Sequence, residues 1–213
     1  AAERQQSFEW HPLRASKATS TNKAKLTSLD DRSIFVSEKS GKTVYTVEFP
    51  TSLKKITGLR LETLSDSNLP TTGPGLPPNG NFVVTEFEVQ FASKSDPKAF
   101  TAAAIASGKA DYLQQGFKIE ATFNGNKRDQ GGWAVAGATG VAHWATFRLK
   151  DPIENPEGGV LRIQLHQFHT AADHQLGRFR ISATTAEGEI PLDLPETLRA
   201  IVAIPEAVRD DAA

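Results

Sequence analysis

The chain has 213 residues, 38% of them hydrophobic, with a formal net charge of −1 and a pI near 6.6. That is enough apolar material for one packed domain, and too little positive charge for a dominant role on nucleic acid or an anionic membrane. The absence of Cys excludes disulfides, thiolate-held zinc, iron–sulfur clusters, thiol catalysis and covalent c-type haem within this segment.

Strand signals dominate from the first third onward. Residues 32–36 are a short candidate. Residues 43–49 alternate, with Tyr45, Val47 and Phe49 on one face. Residues 56–64 follow. Residues 69–81 hold four Pro and three Gly and are expected to form an irregular loop. Residues 81–91 place Val83, Phe87, Val89 and Phe91 together, opposite Glu86, Glu88 and Gln90. Residues 99–107 are Ala-rich and stay open between strand and short helix. Residues 117–123 alternate, with Phe117, Ile119, Ala121 and Phe123 inward, which predicts a strand. Turn-rich loops at 124–132 and 151–159 bracket candidates at 133–136 and 143–149. The last two candidates are 160–167 and 178–185.

About nine short strands with such breakers predict an all-β fold, an antiparallel two-sheet β-sandwich over residues 8–192. Residues 193–213 change character. Pro195 followed by Leu198, Ile201 and Val202 predicts a short helical linker into a following domain. Met is absent even at position 1, so the expectation is a processed product or an excised piece of a longer protein. No apolar run approaches the roughly 18 residues of a membrane span, and no signal peptide is recognised. Residues 1–60 carry 11 basic against 6 acidic side chains, and 182–213 carry 2 against 7. These ends can attract each other, face flanking domains or be solvated surface.

Catalytic signatures are missing. There is no G-x-S-x-G, H-E-x-x-H, phosphate loop or dinucleotide fingerprint, so the chain is expected not to be an enzyme. Glu86 and Glu88 share a strand face, a spacing open to glycosidase-like chemistry but equally ordinary on a solvated strand. His166, His169 and His174 lie close enough in sequence to ligate zinc or copper, or to hydrogen-bond locally. Asp30 and Asp31, in a loop before a strand, are candidates for holding Ca²⁺ together with Ser33. A turn in which Asp bonds its own backbone explains them as well.

Three late strands can be phased by their apolar partners. Leu161, Ile163 and Leu165 leave Arg162, Gln164 and His166 outward. Phe179 and Ile181 leave Arg178, Arg180 and Ser182 outward. Ala145, Phe147 and Leu149 leave Trp144, Thr146 and Arg148 outward. If these strands share a sheet, Trp144, Arg148, Arg162, Gln164, His166, Arg178 and Arg180 form one polar face with an aromatic platform. Such a face suits a polysaccharide, acidic or sulfated because Arg is the commonest type on it. The alternative is a plain solvated face. Trp133, after Gly131-Gly132, fits either a binding loop or the end of the core.

Several runs carry a family resemblance: Leu29-Asp30-Asp31-Arg32-Ser33-Ile34, Tyr45-Thr46-Val47, and Ile56-Thr57-Gly58-Leu59-Arg60-Leu61-Glu62. Others are Gly73-Pro74-Gly75, the stretch from Asn79 to Phe87, Ala110-Asp111-Tyr112, Gly132-Trp133-Ala134-Val135, and Leu176 to Ser182. Over residues 8–204 the chain resembles the β-rich region between two large domains of planctomycete and verrucomicrobial proteins that also carry c-type haem domains. It departs at Arg32, where the family pattern is Asp-Gly-Ser. The resemblance implies a galactose-binding-like jelly roll, the architecture of many carbohydrate-binding modules. It also implies, by similarity to discoidin-type modules, a structural Ca²⁺ near Asp30 and Asp31, and a periplasmic or cell-envelope location. The function expected is non-catalytic carbohydrate binding within a larger cytochrome-bearing protein. The alternatives are a structural spacer packed against flanking domains and, more remotely, a hydrolase.

Overall fold

The computed structural model describes residues 9–38, 41–171 and 173–190. The expected C-terminal helix lies outside them. The described chain is all-β. Fourteen strands form a seven-stranded sheet, a five-stranded sheet and a two-stranded ribbon, and every pairing is antiparallel.

The strands run in chain order as β1 His11–Pro12, β2 Lys17–Ser20, β3 Lys25–Ser28, β4 Ile34–Ser37, β5 Thr43–Thr51, β6 Lys55–Thr63 and β7 Val83–Val84. They continue as β8 Glu86–Ser93, β9 Thr101–Ala102, β10 Ile105–Ala110, β11 Trp133–Ala134, β12 His143–Glu154, β13 Gly159–Gln167 and β14 Arg178–Thr184. The seven-stranded sheet has the order β10-β12-β6-β14-β4-β3, with β1 also paired to β14. The five-stranded sheet has the order β2-β5-β13-β8-β9, and β7 pairs with β11.

Period-two alternation builds the core. Tyr45, Val47 and Phe49 of β5 and Leu161, Ile163 and Leu165 of β13 have no solvent exposure. They face Leu59 and Leu61 of β6, and Ala145 and Phe147 of β12. Two ring stacks span the sandwich from sheet to sheet. Phe87 of β8 lies on Phe147 of β12 at 4.3 Å, and Tyr45 of β5 lies on Phe179 of β14 at 6.0 Å. Each buried side chain of this size contributes about 1.5–3 kcal/mol.

One expectation needs correction. Residues 117–123 are not a strand: Ile119–Phe123 is a 3-10 turn. Its buried members, Ile119 and Thr122, are three residues apart, and the Thr122 hydroxyl donates to the Ile119 carbonyl at 2.6 Å. A Thr that satisfies its own hydroxyl locally can be buried, which breaks the polar-outward reading. The open stretch at 99–107 holds no helix and contributes the short strand β9 and the start of β10, with Phe100 in the connection before them. Trp133 belongs to the core. It is fully buried, edge-on to Phe82 at 5.1 Å, and its indole N–H donates to the Tyr112 carbonyl.

Candidate functional site

The strand phases are as expected, but β13 lies in one sheet and β12 and β14 in the other. The seven predicted residues therefore divide between the two outward faces of the sandwich. Trp144, Arg148, Arg178 and Arg180 face out from the seven-stranded sheet. Arg162, Gln164 and His166 face out from the five-stranded sheet. The single combined surface does not exist.

On the seven-stranded sheet the arginines are engaged within the protein. Glu62 of β6 accepts from Arg180 at 2.9 and 3.0 Å, from Arg60 at 3.1 Å and from the Ser182 hydroxyl at 3.1 Å. Burial pushes the Glu62 carboxyl up, but Arg180 and Arg60 outweigh it and hold it below the usual range. Arg178 donates to Asp31 at 2.7 Å, to Asp66 at 3.0 Å and to Ser33. Arg148 donates to the Gly188 carbonyl. Trp10 and the stretch up to Ile190 lie over this face. Trp10 lies 5.0 Å from the Arg60 guanidinium, and Ile190, only 4% exposed, packs on Gly58, where a Cβ would sit 2.1 Å from its methyl. Trp144 is half-buried, and its indole nitrogen has no hydrogen-bond partner among the described residues.

The five-stranded sheet is more open. Cross-strand register sets Glu48, Arg162 and Gln90 in one row, and Thr46, Gln164 and Glu88 in the next. All six are half-buried. The Phe100 ring, from the β8–β9 connection, stacks on the Arg162 guanidinium 3.4 Å away. Arg162 donates twice to Glu48 Oε1, at 2.7 and 3.1 Å. Gln164 donates weakly to Thr46 at 3.3 Å, and the Gln90 amide makes no side-chain hydrogen bond among the described residues. The row beyond Arg162 pairs Val160 with Pro50. It opens into a groove of about 520 Å³ bounded also by Pro97, Lys94 and Gly158-Gly159.

His166 sits on this face but is 5% exposed, so it cannot present itself to a ligand as expected. The loop at 124–131 covers it. Gly125 N–H donates to Glu86, and Lys127 and His166 both donate to Glu88, at 2.9 and 2.6 Å. Glu86, expected on a solvated face, is 4% exposed, and burial pushes its carboxyl up. Burial likewise holds the His166 imidazole below its ordinary value, against the pull of Glu88. His166 is thus separated in role from His169 and His174, whose rings lie 6.4 Å apart. His169 Nδ1 accepts from Ala171 N–H. Among the described residues no three His, Cys, Asp or Glu side chains converge as around a metal ion.

Asp31 forms the local turn that was the alternative to calcium. Its Oδ1 accepts from the Ser33 N–H at 3.0 Å and the Ser33 hydroxyl at 2.6 Å, while Oδ2 takes Arg178. Arg32 adopts φ 66, in the left-handed region that favours Gly, so the tight turn forms here without one. With both its oxygens engaged and a guanidinium supplying the countercharge, Asp31 is already satisfied without a cation. A chelator is therefore expected to leave the melting temperature unchanged. A clear drop on chelation would show that a bound cation stabilises the fold by mass action.

Two features had no readable signal. Phe100 sits on a loop with no periodicity. The second is Asp111–His143, a part-buried pair with Nδ1 2.8 Å from Asp111 Oδ2, whose partners are 32 residues apart and match no motif.

No family model matches the chain, and no curated protein matches it. Among solved structures it is similar to one titled "Crystal structure of Agl-KA catalytic domain", at 11% identity and a TM-score of 0.35. The match covers 88% of this chain and 29% of that one, a likeness too slight to carry any argument about function.

Proposed function

We propose that the chain is a non-catalytic carbohydrate-binding module whose site is the outward face of the five-stranded sheet. One observation supports this above the rest. A Phe100–Arg162 stack stands in an open row of hydrogen-bonding side chains, with Gln90, Gln164 and Thr46 beside it and the Pro50–Val160 groove at its end. Sugars offer apolar C–H faces flanked by hydroxyls. The exposed side of an aromatic ring packs the former, and amides and hydroxyls exchange hydrogen bonds with the latter. Residues two apart on a strand are about 7 Å apart, so Val160 to Gln164 spans about 13 Å, enough for a short stretch of an extended chain. The parent context, a cytochrome-bearing envelope protein, belongs to the same proposal and rests on the sequence resemblance.

The second reading is a structural spacer. It is favoured by the seven-stranded sheet, whose outward Ser182, Thr146 and Thr184 are buried and whose Arg178 and Arg180 are held by Asp31 and Glu62. A polysaccharide array probed with the chain separates the two. Retention on glycans supports the module, and a blank array supports the spacer.

A further inference from the structure

We infer that the ligand of this face is a neutral polysaccharide. The inference rests on the carbohydrate reading above and deepens it. Counting arginines in the sequence favours an acidic glycan, but the geometry reverses that. Arg162, the arginine at the centre of the face, is held by Glu48 through two donors and covered on one side by Phe100. Lys17 is the register partner of Glu48 on the edge strand and stands exposed at the margin of the face. Glu88, one row along, is matched by Lys127 and His166.

An anionic chain would have to compete with Glu48 for Arg162, which means breaking a part-buried ion pair, and would find the Lys127 charge already taken by Glu88. The groups at the centre of the face left to recognise a ligand are uncharged, with the exposed cations Lys17 and Lys94 only at its margins. They are the Gln90 amide, the Gln164 carbonyl oxygen and the apolar surface from Phe100 to Val160. Hydroxyls, which both donate and accept, match that set.

The test titrates the full chain with neutral polymers (galactan, mannan, β-glucan) and acidic ones (polygalacturonate, alginate, a sulfated galactan) at 20 and 500 mM NaCl. At least one neutral polymer is expected to bind, with Kd changing by less than about twofold between the two salts. Glu48→Gln, with its fold checked by melting, leaves Arg162 uncompensated. It is expected to gain at least about fivefold in affinity for polygalacturonate at low salt and to lose that gain at high salt. Wild-type preference for an acidic polymer, weakened by salt, would overturn the inference and leave the carbohydrate reading standing. A folded Glu48→Gln chain with no gain would also overturn it, since Glu48 would not be what excludes anions. Binding to none of the polymers would remove the inference and the carbohydrate reading together.

Discussion

Gly75→Ala is expected to destabilise the protein by at least about 3 kcal/mol, lowering the melting temperature by roughly 10 °C. A Cβ at Gly75 would sit 1.7 Å from the Asn81 carbonyl oxygen and 2.4 Å from its carbon. Both are backbone atoms, so no side-chain rotation relieves the overlap. Gly75 N–H donates to the Gly80 carbonyl at 2.8 Å, which pulls the two strands of the loop together. Displacement would spread further. Asn81 accepts from Val135 N–H and donates to Gln114, whose Oε1 in turn accepts from Ala136 N–H. One glycine thus governs how three connections stack at one end of the sandwich. A melt within about 2 °C of wild type would show that the loop has slack the geometry does not reveal.

Asp111→Ala is expected to cost about 1.5 kcal/mol near pH 6, and the cost is expected to shrink as pH rises. His143 Nδ1 lies 2.8 Å from Asp111 Oδ2 and Nε2 lies 2.6 Å from the Ala138 carbonyl. A carbonyl and an ionised carboxylate only accept, so both ring nitrogens donate and the buried ring is an imidazolium. Burial works against that charge, but Asp111 and the Ala138 carbonyl outweigh it and raise the pKa above 6.5. A folded-state pKa raised above the unfolded value means the stabilisation is full below about 6.5 and is lost as pH climbs through the folded value. The check is the melting-temperature gap between wild type and Asp111→Ala from pH 5.5 to 9.5, with His143→Gln in parallel. Other perturbed groups, such as Glu86 and His166, are common to these chains and largely cancel in the difference. A gap independent of pH would show a neutral ring.

Strand existence and phase were legible wherever apolar residues alternate, as in β5, β6 and β13. The short edge strands β2 and β3 were not, because Lys-Ala-Thr-Ser and Lys-Leu-Thr-Ser each carry a single apolar residue and lie at or beside a margin of the sandwich. The outward direction of Arg162, Gln164, Trp144 and Arg180 was legible for the same reason that their neighbours are core. Sheet membership was not, since β12, β13 and β14 alternate between sheets and nothing in a strand's own pattern records its partners. Burial of His166 and Glu86 was missed because the loop at 124–131 covers them from 40 residues away in sequence. The arginines misled through their number. Charge along a chain says nothing about pairing, and Arg162, Arg178 and Arg180 each meet a carboxylate only in the folded protein.

The most direct test of the binding face compares two aromatic variants on opposite sheets. Phe100 stacks on Arg162 at the proposed face, and Trp144 lies half-buried on the other side of the core. Affinity for a retained polysaccharide is measured for wild type, Phe100→Ala and Trp144→Ala, with each variant's melt recorded. Phe100→Ala is expected to lose roughly five- to tenfold in affinity, about 1 kcal/mol of stacking, while Trp144→Ala binds as wild type does. Loss on Trp144→Ala with Phe100→Ala unaffected would contradict the account and move the site to the seven-stranded sheet.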